Sequence, residues 1–183
     1  MPSPLARRCL IEEDSLRALS LLFPASWVAP RSPHATAVQA EAEAWFRQLG
    51  VIHDAQTAAR FAAMAVADYG GLPFPLADRA AVEMATRFLS LWLFHDDLIE
   101  GVGERSGPLI IAALRGELDE CPPGPPCLRG WWELGRSLHA RMGSSWSRRL
   151  AQRFADWLLT LDAEARLAAR LRQGQPPDRK SVV

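Results

Sequence analysis

From Val82 to Glu100 the chain carries one long helical pattern that ends in acid. In AVEMATRFLSLWLFHDDLIEG, Val82, Ala85, Phe88, Leu89 and Trp92 recur at the three- and four-residue spacing of one helix face. Leu89, Leu91, Trp92, Leu93 and Phe94 make the following stretch apolar nearly all round, which places it inside a protein rather than on its surface. The next turn then carries Asp96, Asp97 and Glu100. At about 100° per residue, Asp96 and Glu100 fall on nearly one face and Asp97 flanks them. Like charges at that spacing repel, so the arrangement calls for a cation. Magnesium fits, because it takes one or two carboxylates together with phosphate oxygens and keeps several waters. The bland alternative is a solvated acidic face, and the buried run that leads into the acids weighs against it.

The other patterns are helical too. Residues 1–33, broken by Pro24, Pro30 and Pro33, read as an irregular N-terminal arm. Helices are expected from about His34 to the cap at Gly50, and from the N-cap Asp54 to the Gly70–Gly71 stop. The acidic helix is expected from Asp78 to Gly101 and Gly103, and a shorter one through Leu109–Leu114 with Pro108 in its first turn. CPPGPPC reads as a loop, and Leu128–Met142 and Ser145–Arg172 as two further helices. No segment alternates as a strand does and none repeats, so the fold class is all-α, in one domain of a 183-residue chain.

Charge and cysteine count narrow the function. Lysine plus arginine and aspartate plus glutamate stand at 21 each, which gives no electrostatic footprint for nucleic acid. No apolar run reaches the roughly 18 residues of a membrane span, and the start MPSPLARRCLIEEDS turns acidic too soon for a signal peptide. Three cysteines, Cys9, Cys121 and Cys127, cannot all pair, which fits a reducing cytoplasm. The two thiols of CPPGPPC lack the further ligands zinc requires, so that segment is read as a proline-rich loop. Most of the seven tryptophans are assigned to the core, with Trp92 the exception. Arg148, Arg149, Arg166, Arg170 and Arg172 are read as a solvated face, and His95 as a packing residue beside the acids.

Landmarks in order give a resemblance. Ser32–Pro33–His34 is followed by Trp45 and Leu49–Gly50, then Tyr69 and Phe74–Pro75, then Trp92–x–Phe94–x–Asp96–Asp97–x–x–Glu100. Trp132–x–x–x–Arg136, Trp146, Arg153–Phe154, Glu164 and Gly174–x–Pro176 come after. Over about residues 23–178 this succession resembles the front part of bacterial class I terpene synthases. The resemblance implies a class I terpenoid synthase-like helical bundle around an apolar cavity, with residues 34–178 its partial helical domain and 179–183 a tail. It also implies Mg2+ held by Asp96, Asp97 and Glu100, a linear prenyl diphosphate (farnesyl diphosphate is the expected one) and its ionisation and cyclisation to a terpene with release of diphosphate. Asp96 and Asp97 are the implied catalytic residues. Phe88, Leu89, Trp92 and Leu93 are the expected substrate-binding positions.

The family's second metal motif, Asn/Asp–x–x–x–Ser/Thr–x–x–x–Glu, is not present, and its diphosphate-sensing arginine would lie beyond Gly174–x–Pro176. The expectation is therefore an incomplete bundle, little more than half of a catalytic domain, whose uncovered apolar faces favour homo-oligomers. Two alternatives follow: a truncated, non-catalytic remnant of such an enzyme, or a prenyl-chain elongating transferase. Against the transferase, the motif ends in Glu100 and no Gly-Gly-Lys-Arg type segment stands near the start.

Overall fold

The computed structural model of the chain describes residues 30–102 and 106–174, and within them the side chains of residues 96–102, 162 and 165 lie outside the description. The chain divides after Pro30, and the described helices belong to the unit Arg31–Val183. They are α1 (Ala35–Leu49), α2 (Ala55–Met64), α3 (Val66–Gly71), α4 (Arg79–Val102), α5 (Gly107–Arg115), α6 (Pro126–Met142) and α7 (Ser144–Arg172). Among the described residues every regular element is a helix, as the patterns require.

Local chemistry explains most of the boundaries. Gly50 takes a left-handed conformation (φ 82°) and its N–H closes on the carbonyls of α1, a role a residue with a side chain fills poorly. The Asp54 carboxylate accepts the Thr57 N–H at 2.7 Å and starts α2. The Asp78 carboxylate accepts the Ala81 N–H at 2.7 Å and does the same for α4. α5 has Pro108 in its first turn and ends at the left-handed Gly116. Of the segment read as an arm, residues 1–29 lie outside the described residues. Ser32, by contrast, is buried, and its carbonyl accepts the Ala35 N–H at the entry to α1.

Two sequence expectations change. The single helix expected from Asp54 to Gly71 is broken at Ala65, which takes φ 45°, ψ 42°. The break turns Val66 and Ala67 inward, where the Ala67 N–H donates to Gln39 Oε1 of α1 at 2.9 Å. Gly70 and Gly71 are not only a stop: both are buried in α3, and a Cβ on Gly70 would come within 2.8 Å of Thr86 Oγ1 on α4. The second change concerns CPPGPPC. Its last two residues already belong to α6, which begins at Pro126, and they bury Cys127 while Cys121 stays exposed.

The main core joins Trp45, Phe46 and Leu49 of α1, Phe61 of α2, Leu91 and Phe94 of α4, Ile110 and Leu114 of α5, Leu128, Trp131 and Leu134 of α6, and Phe154 of α7. α4 packs closely on α1, α3 and α6, while α5 wedges against α6 and α7. At the α5–α6 crossing a Cβ on Gly135 would stand 2.3 Å from the Ala113 carbonyl oxygen, so only glycine permits that approach. α4 is thus a central helix, with a length of about 36 Å at 1.5 Å per residue.

Candidate functional site

Around α4 the seats of the expected site residues differ. Leu91, Ser90 and Thr86 point into fully buried packing, and Phe94 is nearly enclosed by Phe46 and Phe61 at 5.1 and 5.9 Å. Phe88, Leu89 and Trp92 look elsewhere: Phe88 and Leu89 line a groove bounded by α6 and α7, and Trp92 faces the middle of α7. Phe88 meets Trp131 edge-on at 5.6 Å, and Trp92, 36% exposed, meets Trp157 edge-on at 5.6 Å. Leu93 is half-buried against the main core. Asp96, Asp97 and Glu100 belong to the last two turns of α4 by backbone, and their side chains lie outside the described residues.

Between α4 and the α6–α7 turn runs an apolar groove of about 430 Å³. Met84, Phe88 and Leu89 of α4 form one wall, and Leu138 of α6 with Trp146 and Leu150 of α7 form the other. Phe74 and Ala77 of the α3–α4 loop border it, and its one charged lining residue is Arg141. Arg141 is held there by Asp78, whose carboxylate accepts its guanidinium at 2.9 Å. The Asp78 carboxyl lies below its usual range, first because it accepts the Ala81 N–H and then because of Arg141. The groove therefore offers an apolar wall for a hydrocarbon and a single fixed cation. Phe88 and Leu89 line it; Trp92 and Leu93 lie between it and the acidic turn along α4.

His95 is the group next to the acids that is fully described. It is 1% exposed and enclosed by Trp131, Phe154 and Trp157, with ring centroids 6.3–6.4 Å away. Burial pushes its imidazolium down to about 4, so at neutral pH it is an uncharged packing partner. A second, smaller cavity of about 310 Å³ is lined by Phe94 together with Val51, His53, Arg60, Pro126 and Cys127. Among the described residues no three histidine, cysteine or acidic side chains gather as a metal site.

Sequence reasoning passed over the groove's far wall. Trp146, Leu150 and Trp157 do pack against the main core, as expected of the tryptophans, but Trp146 and Leu150 also line the groove and Trp157 meets Trp92. Their signal was the stripe Trp146–Leu150–Phe154–Trp157 at four- and three-residue spacing on α7. It has the same apolar period as α4, and only the pairing of the two helices gives it meaning. The landmark Trp132–x–x–x–Arg136 is also local packing: the Arg136 guanidinium lies 4.9 Å from the Trp132 ring, whose N–H donates to the Leu118 carbonyl at 3.1 Å. Arg148, Arg149, Arg166, Arg170 and Arg172 are all exposed.

The fold has solved counterparts. It is similar to the linalool/nerolidol synthase from Streptomyces clavuligerus in complex with 2-fluorogeranyl diphosphate, with a TM-score of 0.65 and 19% identity. The match covers 81% of this chain and 51% of that one. A second structure of the same synthase gives a TM-score of 0.65 at 18% identity, covering 83% and 51%. The chain has a terpene-synthase-like fold. It spans about half the length of the synthase it matches. No protein-family model and no curated protein matches the sequence.

Proposed function

We propose that the chain carries the front part of a class I terpene synthase site, acting on a linear prenyl diphosphate and releasing diphosphate and a terpene. The observation that carries the reading is the order of surfaces along α4. An apolar groove at Phe88 and Leu89 is followed by the Trp92–Trp157 pair, and then by the turn bearing Asp96, Asp97 and Glu100. A prenyl diphosphate has the same order, with a hydrocarbon tail, a reacting allylic carbon and a polyanionic head. The neighbour's complex with a fluorogeranyl diphosphate supports that ligand class.

Three carboxylates at the C-terminal end of a helix are hard oxygen donors where the helix dipole is negative, a donor set that fits Mg2+. Asp96, Asp97 and Glu100 would hold it, and when bound it supplies Lewis-acid neutralisation of the departing diphosphate. The chain's own apolar side chains do the rest. Phe88 and Leu89 seat the tail in the groove, Trp92 and Trp157 offer ring faces to a developing cation, and Leu93 helps to exclude water. Farnesyl diphosphate is the proposed substrate, with the cytoplasm as its compartment and self-association through the open groove as an accompanying property. Among the described residues no helix is long and apolar enough to cross a membrane.

The test is direct. The purified chain is incubated with Mg2+ and farnesyl diphosphate, the extract is analysed by gas chromatography–mass spectrometry and released diphosphate is measured. Terpene above an Asp97→Asn control supports the reading, and equal product from Asp96→Asn and Asp97→Asn removes the role given to the acids. A second reading, a non-catalytic remnant that binds through the groove, is favoured by the chain spanning 51% of its neighbour's length. It predicts no product from a folded, helical sample. Longer prenyl diphosphates in place of hydrocarbons would instead indicate an elongating transferase.

A further inference from the structure

Two left-handed residues bound the segment Val51–Met64. Gly50 (φ 82°) ends α1, and Ala65 (φ 45°, ψ 42°) breaks the helix between α2 and α3. Among the described residues Ala65 is alone, glycines apart, in taking a positive φ, a conformation that crowds its Cβ against the backbone. The sequence around it, ARFAAMAVADY, contains neither glycine nor proline and favours one unbroken helix. The bend is therefore imposed by tertiary contact. Part of that contact is Gln39 Oε1, which accepts the Ala67 N–H at 2.9 Å. In an unbroken helix that N–H would reach the Ala63 carbonyl instead.

The two sides of the bend are held unequally. α3 buries Val66, Ala67, Gly70 and Gly71. A Cβ on Gly70 would come within 2.8 Å of Thr86 Oγ1, and one on Gly71 within 3.2 Å of the Ser32 Cβ, so α3 is seated closely on its neighbours. Val51–Met64 has only two buried side chains, Ile52 and Phe61. On α2, Ala55, Gln56, Ala59, Arg60, Ala62 and Ala63 are exposed. The 310 Å³ cavity lies between this segment and the rest of the unit: Val51, His53, Thr57 and Arg60 line it from the segment, and Phe94 of α4 with Pro126 and Cys127 of α6 line it from the body. The segment thus meets the body at anchors rather than along a packed face. Phe61 is the larger anchor, with its ring 5.2 Å from Phe46 and 5.9 Å from Phe94.

We infer that Val51–Met64 is a hinged strap, which turns about Gly50 and Ala65 with Phe61 as its latch and uncovers Phe94 and Cys127 while the rest of the unit stays folded. Opening lets α2 straighten toward the line of α3 and relieves the backbone at Ala65. It also withdraws Phe61 from Phe94, the ring two residues before Asp96. The inference rests on the geometry of α2 and is separate from the chemistry assigned to the acids.

Cys127, 1% exposed at the cavity wall, serves as the reporter of opening. In a Cys9→Ser/Cys121→Ser chain, the rate at which a bulky maleimide labels Cys127 is followed in native buffer and in urea below the unfolding transition. The expected rate exceeds the one that global unfolding permits and depends only weakly on urea, as a local opening does. Ala65→Gly slows labelling about tenfold, because glycine relieves the bend and weakens the straight helix, two effects of the same sign. Gln39→Leu speeds it about fivefold, the change expected when the closed state loses one hydrogen bond. Phe61→Ala speeds it further, and Leu159→Ala, an exposed position on α7 that lines no part of the cavity, leaves it unchanged. Circular dichroism checks that each variant is folded; should Phe61→Ala unfold, Ala65→Gly and Gln39→Leu carry the test with their opposite signs. Labelling that follows global unfolding, with its full urea dependence, overturns the inference. So does a rate that Ala65→Gly leaves unchanged or raises.

Discussion

The two sides of α4 are built from the same kinds of residue and end in different states. Toward α1, α3 and α6 the helix buries Thr86, Ser90 and Leu91 completely, and the polar ones turn their hydroxyls onto their own helix: Thr86 donates to the Val82 carbonyl at 2.8 Å and Ser90 to the Thr86 carbonyl at 2.7 Å. Small residues allow this, since Gly70 lets α3 settle on Thr86 and Gly130 lets α6 settle on Leu91. Toward α7 the contacts are made by long rings, Trp92 to Trp157 and His95 to Phe154, and a groove remains below them. The difference teaches that apolar content does not decide whether a helix face becomes core or cavity. The size of the residues on the opposing helix does, because small ones bring backbones together and large ones hold them apart.

Breaking the closed side has the largest effect. Trp131, fully buried and in contact with Phe88 and Phe154, anchors both sides, and Trp131→Ala is expected to cost about 4 kcal/mol in urea unfolding. Next comes acid. His95 titrates at about 4 in the folded chain against 6.5 unfolded. Between those values the unfolded state takes up the proton first, so stability falls as pH drops through that window, by about 3 kcal/mol in all. His95→Phe should flatten that slope in denaturation midpoints measured from pH 7 to pH 4. A smaller loss, about 1 kcal/mol, is expected for Gly70→Ala, where crowding against Thr86 outweighs the better helix propensity of alanine. Last is Leu89→Ala on the open side, again about 1 kcal/mol in the same assay, because that leucine lines the groove and is only partly buried. A cost as large as that of Trp131→Ala would mean that the groove is closed in solution and would erase the comparison.

The helices were largely legible because their punctuation is local. Gly50, Asp54, Asp78 and Gly116 cap where their chemistry requires, and the apolar periods between them run at helical spacing. The break at Ala65 was not legible, since alanine carries no turn signal and the kink is held by Gln39 of another helix. Of the candidate site, the sequence marked one wall: Phe88, Leu89 and Trp92 by period, the acids by their spacing on one helix face, and Leu93 and the expected substrate roles by resemblance. It marked Trp146 only as a landmark of the resemblance and did not mark Leu150 and Trp157 as site residues, since their spacing is the same whether they meet a core or a groove.

By itself, then, the sequence determined an all-α chain with a buried helix running into three carboxylates, because capping and periodicity act within a few residues of one another. Only the tertiary structure decided which face of that helix is closed and which is open. It also set Arg141 at the groove beside Asp78, 63 residues away in the chain, and left Leu72, Phe74 and Leu76 exposed. Those outcomes depend on how closely helices distant in sequence approach, and that is set by side-chain volume at their crossings, which no local pattern records.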